Sequence, residues 1–332
     1  MSVQHQVGCL AIIALAVTAA GCAGPGLNAP RASAYQEQPL PPSELKVDLR
    51  LDYGALELKD DAPPQPEIQA WVANATAAIN AYYGAFPAKR TRVLIERLNG
   101  SGVRWARTFA YSGAFVRVGI GGNTSAQEFA SDWMLTHEFI HLTLPQFADE
   151  HDWMQEGTAT YVEPIARAQA GQLSAERVWN SFMHEMPQGL PAARDHGLDA
   201  ASDWGRVYWG GALFCLMSDI EIRKRTDNRF GLQDALRAIM KDGGTLDHRW
   251  SINDALRSGD RATGVSVLTE MYEQWRAKPV QVNLKQLWRE LGVEQVGRRA
   301  VLNDDAPLAD IRRAITGTAE PQRVITQLVY MP

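Results

Sequence analysis

The residues best placed to do chemistry stand at Thr136-His137-Glu138-Phe139-Ile140-His141. On a helix, His137 and His141 fall one turn apart on one face, so both imidazoles can grip a single metal ion. Glu138 sets a carboxylate beside a metal-bound water, where it can take the proton as that water attacks a carbonyl. On this pattern alone, a solvated helix face stays open as the plainer account.

A second block lies just beyond: Trp153-Met154-Gln155-Glu156-Gly157-Thr158-Ala159-Thr160-Tyr161-Val162-Glu163. It closely resembles the W-x-x-E-G-x-A-x-Y-x-E helix of gluzincin zinc peptidases. In those enzymes the first Glu of this helix completes a His2Glu zinc site and leaves one position for water. The resemblance therefore implies one zinc per chain, held by His137, His141 and Glu156, with Glu138 as general base. Such a metal polarises a peptide carbonyl and brings the pKa of its water to about neutrality, so no protein nucleophile is needed. Glu163 falls on the same helix face as Glu156, where it either accepts the second ring proton of a zinc histidine or forms a surface salt bridge. His151 lies in the connecting loop and reads as a spare histidine; His184, His196 and His248 belong to no motif.

The resemblance extends to Tyr208-Trp209-Gly210-Gly211-Ala212-Leu213-Phe214, similar to the Y-x-K-G-A segment of aminopeptidases with Gly210 in place of Lys. The run on through Asp219-Ile220-Glu221-Ile222-Arg223 to Gly231-Leu232-Gln233-Asp234-Ala235-Leu236-Arg237 is most similar to the glycyl aminopeptidase family. It implies that Tyr208 donates a hydrogen bond to the oxyanion as the attacked carbonyl becomes tetrahedral. An aromatic packed at a helix start is the alternative. Two departures bear on specificity. The loop between His141 and Glu156 is shorter than in the aminopeptidase-N family, and that family's G-x-M-E-N signature is replaced by Gly119-Ile120-Gly121-Gly122-Asn123. Gly121 and Gly122 could let an edge strand pair with a substrate backbone, or could simply form a strand-to-helix turn. No acidic residue in a recognised position is available to hold a substrate amino terminus, which favours an endopeptidase over an aminopeptidase. The rival from another class is an inactive peptidase-fold lipoprotein serving as an envelope binding or assembly module.

These residues need elements to position them. Alternation from Leu45 to Tyr53 predicts a half-buried strand, and Pro66 opens an amphipathic helix to about Tyr83. Further strands are predicted over 92–98, 103–111 and 114–120, with turn signals at Asn99-Gly100 and Ser112-Gly113. Helices are predicted near 126–144, 153–169, 207–226, 231–241, 262–276 and 284–291. A sheet lobe followed by a helical lobe is an α+β arrangement. The resemblance makes it thermolysin-like: a small mixed sheet plus the motif helix over 45–144, and a helical lobe over 145–332.

The first charged side chain is Arg31, and the apolar stretch from Val7 to Ala20 is too short for a comfortable transmembrane helix, so it reads as an export signal. Ala19-Ala20-Gly21-Cys22 resembles the bacterial lipobox, which implies a signal over 1–22 and a lipid on Cys22. A plain cleaved signal and a retained anchor are the alternatives. Ala23, rather than Asp, after the cysteine favours the outer membrane, with the domain facing the periplasm. Residues 23–44, rich in Pro, Ala, Ser and Gln, form a tether. Cys9 leaves with the signal and Cys22 carries the lipid, so Cys215 stays alone in the mature domain, and its apolar surroundings predict a buried thiol. The 45% hydrophobic and 21% charged composition excludes a disordered or multi-span protein, and a net charge of −5 gives no reason to expect nucleic acid as a partner.

Overall fold

The computed structural model describes residues 46–52, 55–57, 66–110 and 113–317, which all lie in one compact unit spanning 31–332. The proposed signal, Cys22 and the tether lie outside the described residues.

Five strands form a mixed sheet: β1 (Lys46–Asp52), β2 (Ala55–Glu57), β3 (Arg90–Leu98), β4 (Val103–Phe109) and β5 (Ala114–Gly121), in the order β2-β1-β3-β5-β4. β3 and β5 run parallel; the other pairings are antiparallel. In β3, Thr91, Val93 and Ile95 are buried while Arg90 and Arg92 are exposed, the period of two of a sheet covered on one face. The Asn99-Gly100 turn separates β3 from β4 as expected, but it joins strands that are not neighbours, because β5 inserts between them. β4 is thereby left as the edge. Helix α1 (Pro66–Tyr83) begins with proline, whose missing N–H costs nothing at a first helical position, and buries Ile68, Trp71, Val72 and Ile79.

The predicted helix over 126–144 is two helices, α2 (Ala126–Ser131) and α3 (Met134–His141). The break is at Asp132, whose carboxylate accepts the amides of Met134 and Leu135 at 3.2 Å and the Trp71 indole N–H at 2.9 Å. A short acceptor side chain there competes with continued helix and caps the next one, binding α3 to α1. Burial pushes the Asp132 pKa upward despite these donors.

The rest of the described chain is mainly helical: α4 (Asp152–Gln169), α5 (Ala175–Glu185), α6 (Gly211–Arg225), α7 (Leu232–Lys241), α8 (Ile252–Thr263), α9 (Val267–Trp275), α10 (Leu284–Leu291) and α11 (Ala309–Thr316). Several elements differ from the sequence reading: α5, most of α8 and α11 have no counterpart among the predicted helices. The expected helix over 262–276 is the end of α8 and all of α9, parted at Gly264, whose φ of 74° ends a helix at no steric cost. The expected start of a helix at 207 is a π-helical turn, Gly205–Gly210, that leads into α6. A two-stranded sheet, β6 (Val293–Val296) with β7 (Arg299–Leu302), has no counterpart in the predicted elements; it exposes Val296 and Val301 and so lacks the usual alternation. One continuous apolar core reaches from Ile68 in α1 to Ile315 in α11.

Candidate metal centre

The centre is assembled from α3, α4, the π-helical turn and the edge strand β4. Helix α3 buries Leu135, Thr136, His137, Phe139 and Ile140, so it runs through the interior with little freedom to shift. His137 and His141, one turn apart, hold their rings 4.9 Å centre to centre.

Glu156 arrives on α4. The start of that helix is pinned by Asp199, which accepts the Trp153 indole N–H at 3.0 Å and the Tyr272 hydroxyl at 3.0 Å. One residue past Glu156, Gly157 meets Gly211 of α6 backbone to backbone, and a Cβ on either glycine would overlap the other helix. This crossing brings Glu156 to its depth. Its Oε2 lies 3.1 Å from His137 Nε2 and 3.5 Å from His141 Nε2, and one ligand atom from each of the three residues falls within 4.8 Å of the others. Ligands about 2.0–2.1 Å from a tetrahedral zinc ion are separated by about 3.3 Å, which the two measured distances bracket. Two imidazole nitrogens and one carboxylate oxygen thus fit a catalytic zinc site by type and spacing. Without metal they satisfy one another. Burial opposes charge on His141, but Glu156 outweighs it and raises the imidazole pKa to about 9. Burial likewise opposes charge on Glu156, and the two histidines hold its carboxyl well below the usual range.

Glu138 points toward β4. The Thr108 hydroxyl donates to its Oε2 at 2.7 Å and lies 2.9 Å from its carbonyl oxygen. Sequence reasoning did not find Thr108, because the contact joins elements 30 residues apart and no local pattern pairs an edge strand with a helix. Tyr208, in the π-helical turn, stacks on the His137 ring at 6.1 Å and on Trp204 at 5.4 Å. Burial, and then the Glu156 carboxylate that its hydroxyl reaches, push the phenol pKa far up, so it stays a neutral donor.

Other predicted residues are placed differently. Glu163 is buried, and its hydrogen bond among the described residues goes to Arg167 at 2.9 Å; Arg167 also donates to the Ala130 carbonyl. This is neither the histidine partner nor the surface salt bridge that the spacing suggested, although Glu163 is close enough to His137 to feel its charge. Gly121 and Gly122 lie on the inner strand β5 and its end, not on an edge. Their amides are taken by Gly102 and Leu98 carbonyls at 2.9 and 2.8 Å. A Cβ on Gly121 would overlap the Ser101 backbone, so these glycines serve a close approach of the chain to itself. His151 stands beside Asp199 at 3.3 Å and outside the ligand cluster. Cys215 is buried, and burial raises its thiol to about 12, which removes it as a nucleophile.

No family model matches the chain, and neither does any curated protein. Among solved structures, the chain is similar to a mutant of a two-domain M1 zinc metallopeptidase crystallised with L-arginine, at 16% identity and a TM-score of 0.42. The alignment covers 69% of this chain and 48% of that one, so the chain spans about half the length of the protein it matches.

Proposed function

We propose that the protein is a zinc-dependent peptidase of gluzincin type that hydrolyses peptide bonds in the cell envelope, carried there by a lipid on Cys22. The observation that carries the reading is the convergence of His137, His141 and Glu156 within 4.8 Å, with the Tyr208 hydroxyl reaching Glu156 and the Glu138 carboxylate close enough to act on both His141 and Tyr208.

A zinc ion bound by those three side chains supplies Lewis acidity toward a carbonyl oxygen and toward water. The protein's own groups do the rest. Glu138 accepts the proton of the attacking water and returns it to the leaving amine. Thr108 occupies one carboxylate oxygen of Glu138 and so leaves the other to face the substrate. Tyr208, kept neutral, donates to the oxygen that gains charge. The place of β4 at an edge of the sheet among the described residues, beside Glu138, and the absence of a recognised carboxylate for a substrate amino terminus, favour internal cleavage.

The test is incubation of the full chain, loaded with zinc, with a mixed peptide library and mapping of cleavage positions by mass spectrometry. Internal cuts that vanish in Glu138→Gln are expected, because an amide cannot take the proton. Cuts that persist unchanged in that variant would remove the mechanism.

A further inference from the structure

Tyr208 has to deliver a hydroxyl to one place in the metal centre, and its backbone alone cannot do that. The π-helical turn itself is well fixed. Asp203 accepts the Arg206 amide at 3.0 Å, and the buried Arg206 guanidinium donates to the Gly189 carbonyl of a neighbouring segment. Beyond Cα, however, the phenol swings on two rotatable bonds, and a displacement of about 1 Å from a reacting group costs about a hundredfold in rate. The Glu156 carboxylate that the hydroxyl reaches is already shared between His137 and His141. The ring therefore has to be held by its faces.

Two other rings are placed to hold it. Trp204 lies 5.4 Å from Tyr208 with the planes 25° apart, and Tyr208 lies 6.1 Å from His137 with the planes 10° apart. Both separations fall in the range of favourable aromatic pairs. His137 is a firm support, since α3 buries it and the Trp133 ring meets it edge-on at 5.3 Å. Trp204 is only half-buried, yet its Nε1 is shut away from solvent with no acceptor among the described residues. Leucine or phenylalanine would avoid that cost, so packing alone gives no reason for tryptophan. What the indole adds is a wide flat face laid against Tyr208.

We infer that Trp204 is a positioning residue, which holds the Tyr208 phenol parallel to His137 and so keeps its hydroxyl at the metal centre. The inference rests on the reading of Tyr208 as the donor to the oxyanion. Trp204 acts through Tyr208 and touches neither the ligands nor the substrate.

The experiment is a double-mutant cycle on the full chain, loaded with zinc and given a peptide that the wild type cleaves. The worth of one aromatic stack sets the scale: Trp204→Ala lowers kcat by about 2- to 13-fold with zinc content unchanged. Trp204→Phe keeps most of the rate. In a Tyr208→Phe background Trp204→Ala costs nothing further, because the hydroxyl that it positions is already gone. A wild-type kcat in Trp204→Ala, or the same loss in both backgrounds, overturns the proposal. Trp204→Leu, which fills most of the space without a flat face, replaces the alanine variant if that one does not fold. A second readout needs no turnover. With isotope-labelled histidine in the same chain, the His137 ring resonance, assigned by its loss in His137→Gln, moves in Trp204→Ala as it does in Tyr208→Leu, stays in place in Trp204→Phe, and moves no further when Trp204→Ala is added to Tyr208→Leu. A wild type that cleaves no peptide ends the peptidase reading and leaves this resonance to decide the placement of the ring. A resonance that moves in Tyr208→Leu but not in Trp204→Ala overturns the role of the indole.

Discussion

Gly157→Ala isolates the helix crossing that sets the depth of Glu156. In an exposed helix, alanine in place of glycine stabilises by about 1 kcal/mol, so local propensity alone predicts a gain. At this position the new methyl would overlap Gly211 Cα and stand 2.8 Å from the Ala212 amide nitrogen. Ordinary contact requires about 3.5–4.0 Å, so α4 and α6 must part by about 1 Å. Overpacking of that kind costs about 1–3 kcal/mol, and in a domain of this size each kcal/mol moves the melting temperature by about 2–4 °C. The separation carries Glu156 away from His137 and His141 by several times the ~0.2 Å that a metal site tolerates. The expected outcome is a melting temperature lower by about 3–10 °C and a zinc affinity lower by about 10–100-fold, read by thermal denaturation and by competition with a chromogenic chelator. A variant that is more stable than wild type with zinc affinity unchanged would refute the close crossing.

The remaining predictions address single side chains. Glu156→Ala should lower zinc affinity by orders of magnitude, measured by elemental analysis after dialysis; full zinc content would remove Glu156 from the ligand set. Tyr208→Phe should lower kcat and kcat/KM together by about a hundredfold while zinc content and melting temperature stay near wild type; an unchanged kcat would mean that the ring only packs. Thr108→Val should lower kcat about tenfold with zinc retained, and Thr108→Ser should recover most of it, because the serine hydroxyl can still donate to Glu138; equal loss in both variants would point to packing instead.

The candidate metal cluster was legible in the sequence because its parts lie in short local blocks: His137 and His141 share one turn, and the resemblance of the 153–163 block to a gluzincin helix pointed to Glu156, which the structure brings to both histidines. What supports them is spread along the chain and left little trace. Asp132 looks like any helix residue until Trp71, 61 positions earlier, is seen to donate to it. Glu163 had the right helical face, but the nearby Arg167 took its carboxylate, and spacing cannot decide between two partners that are both within reach. Gly121 and Gly122 were read as letting an edge strand pair with a substrate backbone or as a strand-to-helix turn, whereas they lie on and just beyond an inner strand whose neighbours are the chain's own. The strand order that decides which backbone approaches is a non-local pairing, and here it is the chain's own 98–102 segment. Strands β1, β3, β4 and β5 and helices α1, α4, α6, α7 and α10 followed from periodicity, whereas β2, α5, most of α8 and α11 went unread, and the break at Gly264 and the β6–β7 hairpin depend on chain reversals with little apolar pattern around them.

The π-helical turn at Gly205–Gly210 behaves as an inserted residue that the fold has kept. Each residue of an α-helix turns the chain by about 100°, so a single extra position puts everything before it out of phase with everything after it. Deleting Val207 would let the segment relax into regular α-helix and improve its hydrogen bonding, yet it would swing the Tyr208 side of the helix away from His137. A shortened chain of that kind could fold at least as well and still have lost the hydroxyl from the metal centre. In any comparison of chain lengths, a one-residue gap in this stretch would therefore mark a change of chemistry, whereas a gap of the same size at the exposed Gly297 turn between β6 and β7 would mark very little.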